Sequence, residues 1–402
     1  MFMKISKYIY LPLTYLLLNF KLAAVGETFP ITFATFFIFF MLPCIKGIDK
    51  NKIIISISIF IFLILFNNIF GRSLDPSKYF TSLLLFIYVA IVISIVYSCS
   101  FVQINDNRSL VHSLCFVAYL VIFLSVLEVA ELILFGSSHL IALFSNFLIY
   151  SNEYLINFVQ YGALRSNSLY FEPAFYSLAI ISLWLTLRQF KFKRKSFDTL
   201  VFIGVLSSGS FSGLMTYIIL YGMELFILYS SHAGLRKKIP YIIVTLLLSV
   251  LVIYFLLPYI LVRIGELGTV GTSSYYRIIG PLQIVFSALT NIDGIIQFGS
   301  LYELVSSFGI MNGAQVGKTL DNGIYVLIVH FSWIAIFTIL FLIYLLFKKT
   351  LVENKIKKFT RNSPILLPLF FVPLSLMFTG AIFSPEYIFA VITPFLASKV
   401  AN

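Results

Sequence analysis

Apolar runs of helix length recur from one end of this chain to the other, and they leave few folds open to it. The stretch Leu110 to Phe135 holds two carboxylates, Glu128 and Glu131, and no Lys or Arg. A helix needs about 20 apolar residues to cross a bilayer, fewer where Lys or Tyr side chains snorkel at its ends. On that basis helices are expected near Tyr8 to Leu22, Phe29 to Ile45, Ile53 to Phe70, Tyr79 to Ser98, Leu110 to Phe135 and Pro173 to Phe190. Six more follow: Thr199 to Leu206, Gly213 to Tyr229, Pro240 to Val262, Gly323 to Phe347, Pro364 to Thr379 and Glu386 to Ala397. The seventh is too short alone and must either extend back over Lys195 to Asp198 or enter the membrane only part-way. Composition agrees, since 60% of the 402 residues are hydrophobic and 11% are charged, against about 25% charged in soluble domains. Soluble enzymes, disordered chains and disulfide-rich secreted folds are excluded. The expected class is an all-α polytopic membrane protein of about twelve helices.

The net charge of +12 reads as topology rather than as a nucleic-acid footprint. Segments that fall on one side of a twelve-helix layout hold 21 of the 28 Lys and Arg residues: Lys4 and Lys7, Lys46 to Lys52, Arg108, Arg188 to Lys195, Arg236 to Lys238, Lys348 to Arg361, and Lys399. The other side holds the remaining 7. The positive-inside rule then puts both termini in the cytoplasm. Lys4 and Lys7 before an apolar run also fit a signal peptide ending near Ala24-Val25-Gly26, a reading given less weight. The three cysteines, Cys44, Cys99 and Cys115, lie in or beside apolar runs without close pairing and read as packing residues.

No repeat and no flexible linker divides the chain, so residues 1–402 read as a single integral-membrane domain. Two outer loops are long, 136–172 and 263–322, and long segments beside a helical scaffold are where function concentrates. The first ends in Arg165-Ser166-Asn167-Ser168-Leu169-Tyr170-Phe171-Glu172-Pro173. Glu172 before Pro173 suits a helix start, because a carboxylate there is favoured by the dipole and Pro fits the first turn. That is one reading. The other gives Arg165 a phosphate to hold bidentately and Glu172 a proton to accept or an arginine to orient. The second loop carries Arg263, Glu266, Arg277, Asp293, Glu303 and Lys318, with a small, polar approach, Gly268 to Tyr276, leading to Arg277. Arg263, Arg277 and Lys318 could bind an anion such as a diphosphate at the membrane surface, or be solvated loop charges.

Within the apolar runs lie Glu128, Glu131, Glu224, His330 and Glu386. Each costs roughly 2.5 to 3.5 kcal/mol to insert and so needs a partner or a polar cavity. Glu128 and Glu131 share a helix face and read either as a hydrogen-bonded packing cluster or as part of a proton path. The segment Ser207 to Gly213 packs four serines between apolar runs and either exposes backbone amides to a ligand or lets helices approach closely. No zinc motif, P-loop, dinucleotide fingerprint or D-x-D pair is present, so no metal or cofactor is expected.

In these residues the chain resembles the O-antigen polymerase (Wzy) family, part of a wider group that includes the O-antigen ligases. Arg165 to Pro173 resembles the family's arginine, short spacer and Glu-Pro. Ser207 to Gly213 resembles its serine-rich break between two helices, without the arginine often found there. Asp321-Asn322-Gly323-Ile324-Tyr325 resembles the opening of a late helix, with Asp321 in place of a histidine and Ser332 in place of a downstream glycine. The resemblance implies a metal-independent glycosyltransferase of the bacterial inner membrane with its active site facing the periplasm. Such an enzyme moves a growing glycan from undecaprenyl diphosphate onto an incoming undecaprenyl-diphosphate-linked repeat unit, in partnership with a chain-length-regulating co-polymerase. It implies Glu172 and then Asp321 as candidate catalytic residues, and Arg165, Arg277 and Arg263 as diphosphate-binding ones. The alternatives are an O-antigen ligase, which shares the bond chemistry, and a lipid-linked oligosaccharide flippase or other secondary transporter, which should show two related halves and short outer loops.

Overall fold

The structure, a computed structural model, describes residues 8–25, 29–70, 76–104, 107–139, 143, 166–170, 172–232, 261, 265, 268–269, 275–290, 322–355 and 366–401. The helix expected over Pro240 to Val262 lies almost wholly outside the described residues. The rest is mostly helical, with a few short strands. The helices are α1 (Tyr10–Leu16), α2 (Phe37–Met41), α3 (Lys50–Phe70), α4 (Pro76–Ser98), α5 (Arg108–Phe135), α6 (Pro173–Gln189), α7 (Lys195–Ser207), α8 (Phe211–His232), α9 (Gly280–Thr290), α10 (Gly323–Lys355), α11 (Leu366–Ser375) and α12 (Pro385–Val400). Two of them, Arg108–Phe135 and Gly323–Leu345 within α10, are long and apolar enough to cross a membrane.

Most of the expected runs that are described hold a helix, but the first, Tyr8 to Leu22, holds only the seven-residue α1 and passes into a strand at Lys21. The second run also differs. Phe29 to Ile45 is not one helix but a strand β2 (Phe29–Thr32), a 3-10 turn, the five-residue α2, a second 3-10 turn and a strand β3 (Ile45–Ile48). Two prolines explain much of this: Pro30 lies in β2, which pairs antiparallel with β1 (Lys21–Val25), and Pro43 sits at the start of the second 3-10 turn. Neither position can supply an amide proton to a continuous helix, and five phenylalanines between Phe33 and Phe40 lose rotamer freedom in one. α7 settles the question raised by the short seventh run. It starts at Lys195 and is thirteen residues long, so it extends back over the charged residues and is still only about 20 Å long.

The chain forms two compact units. The first comprises Met1–Phe62, Leu74–Leu220 and Pro364–Asn402, and the second Leu63–Ser73 and Tyr221–Ser363. In the first, α6 is the centre, and every residue from Pro173 to Gln189 is buried. A helix buried on all faces needs apolar residues all round, or polar ones with partners. Here Ser182 Oγ donates to the Ala390 carbonyl on α12, and Tyr15 OH of α1 lies 2.7 Å from Ser182 Oγ and 3.0 Å from Thr186 Oγ1. At the C-terminal end of α6, Arg188 Nη2 meets Asp198 Oδ1 of α7 at 2.5 Å, and Trp184 Nε1 donates to the same oxygen at 3.0 Å. This buried pair pins the α6–α7 hairpin and leaves Lys191, Lys193, Arg194 and Lys195 exposed at its tip.

The two ends of α12 show how the remaining charges are accommodated. At its start Ser384 caps the helix by accepting from Tyr387 N at 3.2 Å, and Glu386 accepts a hydrogen bond from Thr32 Oγ1. At its other end Lys399 Nζ donates to the carbonyls of Val96, Tyr97 and Cys99, the C-terminal turn of α4 and the strand β4 (Cys99–Phe101) that follows. A cation there complements the helix dipole. β4 pairs with β3, and Tyr8 OH bonds Val102 O, so Lys46 to Lys52, Tyr8, Arg108 and Lys399 belong to segments gathered at that one end.

Candidate functional site

The first unit builds its polar centre from the Ser166–Tyr170 turn that leads to α6 and the Ser208–Ser210 turn between α7 and α8. Breaks of this kind release backbone donors and acceptors that must be satisfied internally. The structure pairs them with each other and with α5. Ser166 N donates to Ser207 O at 3.0 Å, and Ser125 Oγ of α5 lies 2.6 Å from Ser207 Oγ. Ser208 and Ser210 turn the chain from α7 into α8, with Ser210 N donating to Ser208 Oγ at 3.0 Å.

The serines also allow α6 and α8 to come very close. Ser177 Oγ donates to Ser208 Oγ at 2.7 Å, and a Cβ built on Gly213 would stand 2.4 Å from Ser177 Cβ. Only glycine fits that contact. Of the two readings of the serine-rich segment, the geometry supports close helix approach, with every hydroxyl from Ser207 to Ser212 engaged in a local hydrogen bond.

Glu128 supplies the centre of the cluster. It is 1% exposed, and its Oε2 accepts from Ser166 Oγ at 2.5 Å and from Ser168 N at 2.8 Å. Ser168 has φ of 50°, a left-handed conformation that L-residues adopt at a cost, and its Oγ donates to Val121 O at 3.1 Å. Asn167 Nδ2 then bonds Tyr170 O at 2.9 Å, and Tyr170 OH reaches Tyr15 O at 2.7 Å. The short, polar Ser166–Tyr170 turn is thus tied to Tyr15 of α1, Val121 and Glu128 of α5, and Ser207 at the end of α7. Of the two readings of Glu128, a hydrogen-bonded cluster is what the structure holds.

That turn delivers Glu172. The residue is extended, with φ −148° and ψ 161°, and it is 5% exposed. It stands at the N-cap position of α6 with Pro173 in the first turn, as the Glu-Pro pair requires. Its side chain makes no capping hydrogen bond to the first turn of α6. Arg165, one residue before the described turn, lies outside the described residues.

The second unit carries the other candidates. Tyr275–Ile279 forms a single π-helical turn that runs into α9, a helix hydropathy had assigned to loop. Arg277 belongs to this turn; its side chain, like the whole of Arg263 and Asp321, lies outside the described residues. Tyr275 OH donates to Gln283 Oε1 at 3.3 Å. Asn322 caps α10, accepting from Ile324 N at 3.0 Å as an N-cap side chain does. Tyr325 OH, from the same motif, donates to Ile278 O at 3.2 Å. The Arg277 turn and the Asp321–Tyr325 motif, 44 positions apart in sequence, are therefore joined. Ser332 breaks α10 with φ 48° and ψ −130°, a region open to glycine and strained for serine, which gives a backbone reason for a glycine at this place in the pattern it resembles. Among the described residues no three His, Cys, Asp or Glu side chains come together as a metal ligand set.

Sequence reasoning from single segments missed the Glu128 bonds and the Tyr325 contact. Both link residues about 40 or more positions apart, and only the intramembrane cost of Glu128 pointed toward the first.

Comparison with known proteins gives a more specific family than the O-antigen resemblance. No solved structure matches the chain. A protein of Escherichia coli (strain K12) described as "Putative colanic acid polymerase" is 44% identical over 402 residues, covering 99% of this chain and 98% of its own length. The family model described as WcaD colanic acid polymerase matches residues 6–400. With that match running from before α1 to the last turn of α12, and so through both the Ser166–Glu172 and the Asn322–Tyr325 segments, the chain belongs to the WcaD colanic acid polymerase family.

Proposed function

We propose that this protein is a polysaccharide polymerase of the bacterial inner membrane that lengthens a colanic-acid-type polymer, working at the periplasmic face on repeat units carried by undecaprenyl diphosphate. The observation that carries the reading is Glu172. It is a buried carboxyl group at a helix start, and the clamped turn that leads into it follows Arg165 directly in the sequence.

The reaction assigns each group a task. A sugar hydroxyl on the incoming lipid-linked repeat attacks the anomeric carbon of the growing chain. The bond from that carbon to the diphosphate oxygen breaks, and lipid diphosphate leaves with the electron pair. Glu172 accepts the hydroxyl proton, with Asp321 the second candidate for that role. Arg165, Arg277 and Arg263 hold the diphosphates, where planar guanidinium forks offset the charge of the leaving group. Side-chain cations then do the work that a metal does elsewhere, so the proposed chemistry is metal-independent. The donor and acceptor are both lipid-linked oligosaccharides, and a chain-length-regulating co-polymerase is the proposed protein partner.

Deleting the gene tests this. Lipid-linked single repeat units should accumulate while long polymer disappears, and lipopolysaccharide ladders should stay unchanged if the product is a separate polymer. Loss of the ladder alone would return the O-antigen reading. Failure of repeat units to reach the outer leaflet would replace polymerase with flippase, and free polymer that is no longer attached to a lipid core would indicate a ligase.

A further inference from the structure

The Ser166–Tyr170 turn stands between the two residues assigned to chemistry, yet what fixes it comes from a different helix. Glu128 lies seven residues before the end of α5, about 10 Å in from that end along the axis. Ser166 and Ser168 are fully buried where they meet it. A carboxyl oxygen taking two hydrogen bonds holds such a turn firmly, because a buried donor that loses its partner is left unsatisfied. One of those bonds comes from a backbone amide in the left-handed conformation, so the Glu128 bond supports a backbone shape that would otherwise relax. Relaxing it would rotate the chain that leads into Glu172 and the start of α6.

We propose that Glu128 is a positioning residue of the polymerase, whose carboxyl group orients Glu172 by clamping the Ser166–Tyr170 turn that leads into it. The proposal rests on the polymerase role given to Glu172. The clamp itself is independent of it. Both donors converge on the single oxygen Oε2, so a glutamine, which keeps one carbonyl oxygen, can still accept from both. An alanine can accept from neither.

The test uses full-length protein purified in detergent and separates turn position from activity. A cysteine in place of Ser168 reports the turn: the site is fully buried, and the three native cysteines are buried too. Maleimide should label S168C about tenfold faster when combined with Glu128→Ala, as expected for the net loss of roughly one hydrogen bond, and little faster with Glu128→Gln. In otherwise native protein, Glu128→Ala should give short chains at unchanged protein level, and Glu128→Gln should restore most of the length. Ser166→Ala removes one donor, leaves Glu128 held by Ser168, and should shorten chains less, which keeps the test open if the alanine variant fails to fold. Unchanged labelling in Glu128→Ala overturns the clamp. Faster labelling with full-length polymer leaves the clamp standing but removes the role of Glu172, and with it any part for Glu128 in the reaction.

Discussion

Glu172 stands where helix α6 begins without a side-chain capping bond of its own, and this separates two outcomes of changing it. If the residue only started the helix, Glu172→Gln would matter little, because an N-cap contributes about 0.5 to 2 kcal/mol and no cap bond is present to lose. As a general base its loss should slow chain extension by roughly a hundredfold or more, at unchanged protein level. In vitro extension of lipid-linked repeat units is the measurement, and near-normal rates would return Glu172 to a structural role. The Glu-Pro pair made this position visible in the sequence. The bonding of Ser166, Ser168 and Glu128 was hidden there, since serines carry no mark of which distant acceptor they meet.

Among the elements, the close approach of α6 and α8 is the most exacting contact. Gly213→Ala would put a methyl group 2.4 Å from Ser177 Cβ, an atom bonded to the backbone that cannot rotate away. Overpacking of this sort costs about 1 to 3 kcal/mol. Gly204→Ala would meet the Ile122 Cγ1 atom at 2.8 Å, and that side chain can turn. The thermal midpoint of purified protein should therefore fall for both variants and fall further for Gly213→Ala; the reverse order would contradict the packing described. Hydropathy located both helices of this pair, and the serine-rich break between α7 and α8 was plain. Which glycine must be glycine was not, because the constraint comes from Ser177 on another helix. The run Phe29 to Ile45 failed for a related reason: its hydropathy suits a spanning helix, while its prolines and its pairing with Lys21–Val25 divide it.

For the whole molecule, the distribution of charge makes the clearest forecast. With 21 of 28 basic residues assigned to one side, both termini should be cytoplasmic. Alkaline phosphatase, active only outside the cytoplasm, should be inactive when fused after Lys399 and active when inserted after Tyr150, in the first long loop. Activity in the opposite pair would reverse the membrane orientation and take the proposed periplasmic reaction with it. The sequence by itself pointed to a helical membrane class and located most of the described long helices and the motif at Arg165 to Pro173, because these depend on the type and spacing of neighbouring residues. Tertiary structure alone decided what Glu128, Tyr325, Lys399 and Gly213 do. Each is defined by a partner on another segment, and burial obliges a polar group to find that partner without specifying in the local sequence which one it will be.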